Sequence, residues 1–442
     1  MRAVDMDVFE KIRSDIDTST SWGKPEYTDW RDENLSWKHT CYLGDWSWLD
    51  EFQISGPDAL RFLSEHMVNS VAKFAIGQAK HAIFCNLRGK VIGEGVLLRL
   101  GEEEFEYNAR GPVVPWLEYR LAKGDYKAVA KTTIRKFKFQ VSGPNSLAVL
   151  EKVTGQNLRD IKFMHFRHTL VEGVEAAFLR QGMAGEIGFE VQGPGEHAEL
   201  VREAILAAGQ EYGIRQLGSR TAMINHLEAA FPTITHDYLP AVGDPAEREF
   251  FELHGARAPK PGSPEWFKSF ARSVKVKGSF EGDSLDDWSR SPIELGWGKS
   301  VKFDHDFYGR GALEQEMADP KRKIVSLVWN SEDVIDVYTS LFQDEQPAYD
   351  YMEMPRHQWN CMYASKVLVG DRTIGVATSR GYSYFFRKML SHCVIDIEHA
   401  EPGTEVTIVW GDPSSRQKLI RATVASSPYK PDRRRADLEQ AA

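Results

Sequence analysis

The sequence predicts an α+β fold of several domains that ends in a small antiparallel β-barrel or jelly roll. Two Ser-Gly-Pro helix starts, at Ser55 and Ser142, hint at an internal repeat of the kind that two ferredoxin-like halves produce. After Lys321, short alternating segments recur between turn residues, which is typical of a barrel or jelly roll. These strands are predicted at 324–329, 365–369, 373–378, 391–397 and 405–409.

Composition excludes several classes of protein. Hydrophobic residues make up 42% and charged residues 27% of the 442 residues, as is ordinary for a soluble globular protein. The formal net charge of -9, without a basic stripe, argues against a nucleic-acid partner. No apolar run reaches the roughly 18 residues that cross a membrane. The four cysteines stand far apart without a Cys-x-x-Cys pair, so we expect reduced thiols, no metal site and a cytoplasmic location.

Tryptophans are concentrated near the start of the chain, where five of the twelve fall between Trp22 and Trp48. Trp46 and Trp48 are two residues apart, so in an extended segment they share one face. Such a face could stack on a flat aromatic ligand. The alternative is ordinary core packing, since aromatic side chains carry a large apolar area.

A strand is predicted at 105–110, and it ends at Arg110. The planar guanidinium fork makes two charge-assisted bonds to a carboxylate, so Arg110 is a candidate for holding an acidic substrate. The alternative is a solvated arginine at a strand end.

A glycine-rich turn leads into a strand at 188–192. Phe189 and Val191 share one face of this strand, and Glu190 lies on the other. A carboxylate beside such a turn can accept two parallel N–H bonds, which suits the edge of a pterin ring. The alternative is a hairpin turn with a solvated glutamate.

A helix is predicted at 217–228, and it carries His226 four residues after Ala222, on the same face. A neutral imidazole near pH 7 could act as a general base, with Asn225 and Glu228 close enough to orient it and Phe231 as an aromatic wall. The alternative is a hydrogen-bonded core histidine.

These motifs together resemble the glycine-cleavage T-protein superfamily. Its G-E-x-G-[FY]-E segment is similar to residues 185–190, and its G-x-R…L-x-x-E helix to residues 218–228. The likeness runs through most of the chain, and it includes the tetrahydrofolate-dependent O-demethylases of lignin-derived aromatic acids. The resemblance implies a three-domain cloverleaf around a central channel. It also implies that Glu190 grips the pterin, that Arg110 holds a substrate carboxylate, and that Arg380 or Tyr382 reaches back toward the folate channel.

The resemblance also suggests domain boundaries. They are residues 1–55 with 141–240 as the ligand-facing domain, 56–140 as the second domain, 241–322 as an insertion loop and connecting segment, 323–430 as the barrel, and 431–442 as a disordered tail.

Three positions depart from the family pattern. Gly93-Glu94 replaces the Asp-Asp pair of T-proteins, so aminomethyl transfer is not expected. Ala222 stands where the O-demethylases have a tyrosine, and residues 44–49 lack their histidine. Both missing groups would ease the departure of an aryl oxide.

Three functions remain open. The first expectation is a lyase that needs no cofactor and releases formaldehyde from a lignin-derived dimer such as a phenylcoumaran, with His226 as the base. The second is a tetrahydrofolate-dependent O-demethylase of vanillate- or syringate-like acids. The third is a folate- or aromatic-binding protein without catalysis. Each implies a small aromatic partner, carboxylated in the first two, and a monomer or homodimer.

Overall fold

The computed structural model describes residues 24–250, 275–356 and 361–440. Its first layer is a six-stranded sheet in the order β11-β1-β7-β10-β9-β8. These strands are β1 (Cys41–Asp45), β7 (Lys136–Ser142), β8 (Phe166–Val171), β9 (Val174–Arg180), β10 (Gly188–Pro194) and β11 (Ile214–Gln216).

The alternation of apolar and polar residues along β10 determines which face of this sheet is covered by helices. Phe189 and Val191 of β10 point into an apolar core with helices α4 (Ser146–Thr154) and α5 (Ala198–Gly209). Glu190 and Gln192 therefore lie on the opposite face, as the period of two predicts.

A five-stranded antiparallel sheet forms the second layer, in the order β3-β4-β5-β2-β6. Its strands are β2 (Asp50–Ser55), β3 (Ala79–Cys85), β4 (Val91–Arg99), β5 (Glu104–Ala109) and β6 (Val129–Thr133). Helices α2 (Ala59–His66) and α3 (Val113–Lys123) cover its apolar face. The sheets differ from the predicted domain boundaries at two points. Strand β2 belongs to the same sheet as residues 56–140, and all of β7 belongs to the six-stranded sheet.

The two sheets meet through charged side chains on their polar faces. Lys138 of β7 lies 2.7 Å from Glu51 of β2, with both side chains fully buried. Lys136 lies 2.6 Å from Glu106 of β5. These groups bound a polar space between the two sheets, beside a small apolar cluster in which Leu98 of β4 packs with Leu179 of β9.

The C-terminal unit is a closed barrel in the order β13-β17-β16-β15-β18-β19, which confirms the predicted antiparallel barrel. The strands are β13 (Arg322–Trp329), β15 (Ser365–Val369), β16 (Arg372–Ser383), β17 (Lys388–Asp396), β18 (Glu405–Trp410) and β19 (Lys418–Ala425). The sequence analysis missed β19 and the helix α8 (Ser331–Thr339).

Three short helices and one strand pair complete the described fold. They are α1 (Trp30–His39), α6 (Ser219–Glu228), α7 (Arg310–Ala318) and the parallel pair β12 (Lys275–Lys277) with β14 (Cys361–Tyr363). Within the described residues, no helix is both long and apolar enough to span a membrane.

The tail that was predicted to be disordered packs on the six-stranded sheet as far as it is described. Leu438 is 1% exposed within the core of that sheet. The Arg433 N–H donates to the Gly185 carbonyl at 3.0 Å, and Arg180 donates to the Ala436 carbonyl at 2.5 Å. A polar composition suggested disorder, but one apolar anchor and backbone hydrogen bonds hold residues 431–440 in place.

Candidate active site

Helix α6 is the element around which the site is built. All of its residues except Arg220 are buried, because α1 packs on one side of it and barrel strand β16 on another. Gly218 precedes the helix, and a Cβ there would lie 2.2 Å from the Pro25 carbonyl oxygen, so only glycine allows this approach. Such a helix presents its side chains to protein rather than to solvent.

His226 lies inside this helix at 4% exposure. Its Nδ1 is 3.1 Å from the Ala222 carbonyl oxygen and 2.5 Å from Asn225 Oδ1. Two acceptors at one nitrogen place the proton on Nδ1 and leave Nε2 as the basic nitrogen. Burial lowers the pKa of His226 to about 4, and the charge of Arg356 acts in the same direction. The ring is therefore neutral at pH 7.

Aromatic rings flank His226 on two sides, and one of them is the Phe231 wall that the sequence predicted. The Trp46 ring stacks on the imidazole at 6.4 Å between centroids, and the Phe231 ring meets it edge-on at 5.7 Å. The expectation that Trp46 and Trp48 share the face of an extended segment was wrong. Strand β1 ends at Asp45, and a turn follows in which the Leu49 N–H donates to the Trp46 carbonyl.

Gly44 allows this turn, because a Cβ at that position would lie 2.1 Å from the Trp46 ring. The indole thus lies over Gly44, on the sheet face to which a Cβ of Gly44 would point. Gly44 pairs with Gln140, and Gln140 pairs with Glu190. Directly paired residues share a face, so Trp46 connects His226 with the row that holds Glu190.

Arg110 follows β5 and lies over the ring of Trp48, 5.0 Å from its centroid. Burial and the charge of Arg356 lower the pKa of Arg110 to about 10, so the guanidinium keeps its charge at pH 7. The structure therefore pairs two of the predicted site residues and adds a second arginine that the sequence analysis did not single out.

Arg356 is that second arginine. It lines a cavity of about 30 Å³ together with residues of α6 and the barrel. The other lining residues are Met223, Ile224, His236, Tyr363, Ser379 and Arg380. No local motif marks Arg356, since it reaches the site only through the packing of the loop before β14.

Arg380 and Tyr382 take different places. Arg380 donates to the Glu353 carbonyl at 2.8 Å and lies over the Trp410 ring, so the barrel holds it beside the small cavity. Tyr382 packs edge-on against Trp30 at 6.2 Å. The structure groups neither of them with Glu190.

Glu190 is 4% exposed. The side-chain amides of Gln181, at 2.9 Å, and Gln192 donate to its two oxygens. Burial raises the pKa of Glu190, while Gln192 and the charge of Lys138 oppose that rise. The solvated-glutamate alternative is thus excluded, because the carboxylate lies in the polar space between the two sheets.

Two further acceptors in this space have no hydrogen-bond partner among the described residues: Gln140 Oε1 and Asn108 Oδ1. Gln140 uses its amide N–H groups on the carbonyls of Gln181 and Phe189, which fixes the orientation of its oxygen. Buried acceptors without partners are rare in proteins. Together with Glu190 they fit the donor-rich edge of a pterin, which presents several N–H groups.

A second imidazole lies close to Phe231. His81 of β3 meets the Phe231 ring at 5.4 Å and the Trp297 ring at 5.0 Å. Its Nε2 lies 2.8 Å from Glu94 Oε2, which belongs to β4. In the sequence, Glu94 stands out only as a departure from the family pattern, and His81 does not stand out, since nothing local connects residue 81 with residue 231.

Glu228 does not orient His226, contrary to the sequence analysis. Its carboxylate is bound by Lys38 at 2.6 Å, by the Trp37 indole N–H at 2.9 Å and by the Ser383 hydroxyl at 2.6 Å. This carboxylate ties α1 and the barrel to the end of α6. Asn225 is the residue that contacts the imidazole.

The fold combines two sheets with charged inner faces, a C-terminal barrel, and the buried carboxylate of Glu190 on the inner face of the first sheet. The chain matches the model for the GCVT N-terminal domain over residues 8–248. It is 33% identical to a syringate O-demethylase of Sphingobium sp. (strain NBRC 103272 / SYK-6) over 426 residues, which cover 91% of this chain and 89% of that protein. The chain belongs to the GCVT, or glycine-cleavage T-protein, family.

Two other matches agree with this assignment. A sesamin methylene transferase of Sinomonas sp. (strain No.22) is 34% identical over 420 residues, covering 91% of this chain and 89% of its own. The crystal structure of the glycine cleavage system aminomethyltransferase T from Bartonella henselae superimposes with a TM-score of 0.66 at 19% identity, covering 96% of this chain and 98% of that one. The latter match establishes the aminomethyltransferase T fold of this chain.

Proposed function

We propose that this protein transfers a one-carbon unit from the oxygen of an anionic aromatic ether to tetrahydrofolate. The relatives named for syringate demethylation and sesamin methylene transfer support this function better than the formaldehyde-releasing lyase that the sequence analysis put first. The names of these relatives describe O-demethylation of syringate and transfer of a methylene group of sesamin.

The observation that carries the proposal is the polar row around Glu190. A buried carboxylate and two unpaired acceptors, Gln140 Oε1 and Asn108 Oδ1, would be costly to maintain without a donor-bearing ligand. Tetrahydrofolate has such donors on its pterin. Glu190, Gln140 and Asn108 would hold it there, and the bound cofactor supplies the nitrogen that accepts the carbon.

The remaining residues act on the aromatic substrate. Trp46 and Phe231 provide flat walls on either side of His226. Arg110 binds a carboxylate, and its stacking on Trp48 limits the rotation of the guanidinium. Arg356 adds positive charge beside His226, which stabilises negative charge that develops on an aryl oxygen in a site that excludes water.

The decisive assay follows folate methylation, methylene-folate formation and free formaldehyde with the purified protein. Syringate, vanillate, a methylenedioxy compound and a phenylcoumaran are each tested with and without tetrahydrofolate. We expect carbon transfer that requires folate and falls at least about 100-fold in Glu190→Ala. Gln156→Ala, a change at an exposed position, is the control.

A second candidate function is favoured by one observation. His226 carries its proton on Nδ1, so Nε2 can accept the proton of an alcohol, as a lyase requires. Formaldehyde released from the phenylcoumaran without folate, and unchanged in Glu190→Ala, would establish the lyase instead. Binding of these compounds without turnover would support the binding-protein alternative.

A further inference from the structure

His81 and Glu94 form a pair that the proposed function does not yet use. Their side chains are 23% and 13% exposed, although both lie on the inner, polar face of the five-stranded sheet. Glu94 occupies Nε2 of the imidazole, and Nδ1 has no hydrogen-bond partner among the residues that the structure describes. One nitrogen is thus held by a carboxylate and the other is available to a ligand.

Strand pairing places this pair on the same face of the five-stranded sheet as Asn108. His81 pairs with Val96, and Val96 pairs with Asn108, so the three share one face in adjacent strands. Asn108 bears one of the two unpaired acceptors. Asn69 fixes the strand here, because its amide group donates to the His81 carbonyl and accepts from the Ile83 N–H.

Phe231 connects the pair with the aromatic site. Its ring contacts His81 at 5.4 Å and His226 at 5.7 Å, so the two imidazoles lie on the same aromatic wall. An aromatic substrate bound against Phe231 would be within reach of both.

Of the two imidazoles that contact Phe231, His81 is the better placed to give a proton. Cleavage of an aryl ether leaves the bonding electrons on the aryl oxygen, which needs a proton to depart as a phenol. His226 is neutral at pH 7 and its only proton is held by Ala222 and Asn225. His81, in contrast, has one ring nitrogen on the Glu94 carboxylate and its other nitrogen without a hydrogen-bond partner among the described residues.

We propose that His81, held by Glu94, gives the departing aryl oxygen its proton, so that the preferred substrates are ethers of poorly acidic phenols. This inference rests on the proposed function. The carbon–oxygen bond breaks, its electron pair stays on the oxygen, and the oxygen takes the proton from His81 Nδ1. The carbon goes to the folate nitrogen, and the proton displaced from that nitrogen returns to His81, which balances one turnover. Glu94 is a positioning residue in this step.

The test compares two leaving groups in the full-length protein with tetrahydrofolate. Demethylation of vanillate leaves a poorly acidic phenol, so the departing oxygen needs a proton. In 6-nitrovanillate the nitro group is para to the departing oxygen and stabilises its negative charge, so this oxygen needs little protonation. We expect His81→Gln to lower kcat about 100-fold on vanillate and less than about 5-fold on 6-nitrovanillate. Glu94→Gln should show the same selectivity with a smaller loss. His168→Gln, at an exposed position, is the control and should leave both rates unchanged.

A binding measurement gives a readout that does not depend on turnover. We expect His81→Gln to weaken binding of the product protocatechuate about 10-fold by calorimetry and to leave vanillate binding unchanged. If His81→Gln lowered kcat equally on vanillate and 6-nitrovanillate, or lowered it on neither, the role of His81 would be overturned and the proposed function would stay in place. If the wild-type protein showed no folate-dependent carbon transfer, both the role of His81 and the proposed function would be overturned. Thermal unfolding of each variant separates misfolding from a specific loss.

Discussion

Gly44 decides where the indole of Trp46 can lie. A Cβ at residue 44 would be 2.1 Å from the ring, so Gly44→Ala must displace Trp46 from its stack on His226. We expect a loss of about 1 to 3 kcal/mol in the free energy of unfolding and a rise in KM for the aromatic substrate. Denaturant titration and steady-state kinetics measure both. Gly311→Ala is the control: a Cβ in α7 meets nothing within 4 Å, so stability should hold or rise.

His226 and His66 form a matched pair for testing pH dependence. Burial lowers the pKa of each imidazole from 6.5 to about 4. As pH falls, the unfolded chain takes up these protons first, so the folded state loses stability between pH 6.5 and 4. Each histidine contributes at most about 3 kcal/mol to that loss.

We therefore expect His226→Gln and His66→Gln each to flatten the fall of unfolding free energy between pH 6.5 and 4. Urea titrations at several pH values measure this. Only His226→Gln should also impair turnover, since His66 packs among Phe62, Trp116 and Tyr126 in the core of the second sheet. Equal activity losses in the two variants would contradict a catalytic site at His226.

Residue identity alone could predict part of this site. Glu190 follows from the period of two in β10, and His226 from the spacing of α6, because both patterns are local. The stacking of Trp46 could not be predicted, because it depends on Gly44 permitting a turn where an extended segment was the simpler interpretation. Arg356 and His81 were missed for a different reason: the site residues that they approach, His226 and Phe231, lie more than a hundred residues away in the chain.

At the scale of elements, α6 is held by a buried carboxylate at its last residue. Glu228 binds Lys38 of α1 and Ser383 of β16, so it joins three elements. Removing one partner of such a buried pair leaves the other charge uncompensated. The sequence pattern predicted the helix but not this use of Glu228, because the partners come from both ends of the chain.

Lys38→Met should therefore lower the free energy of unfolding by about 3 to 5 kcal/mol. The matched control is Lys152→Met, which breaks an exposed pair with Glu211 and should cost less than about 1 kcal/mol. Guanidinium titration of both variants checks the difference. Similar small losses in both would show that Glu228 does not anchor α6.

At the scale of the whole molecule, two sheets are joined by a buried pair next to the proposed folate site. Lys138 binds Glu51 across the sheets and donates to the Leu49 carbonyl at 3.2 Å. Its charge also opposes the rise in the pKa of Glu190 that burial causes. One lysine thus contributes both to the assembly of the sheets and to the ionisation of the carboxylate in the proposed folate site.

The two roles can be separated by a pair of variants. Lys138→Met alone should lose stability, because Glu51 is left buried and charged, and should also weaken tetrahydrofolate binding about 10-fold. Adding Glu51→Gln removes the stranded charge, so stability should recover while folate affinity stays low. Because the pKa of Glu190 rises without Lys138, affinity in the double variant should fall at a higher pH than in the wild type as the solution is acidified. Calorimetric titrations across pH measure this, and an unchanged affinity profile would mean that the charge of Glu190 does not hold the cofactor.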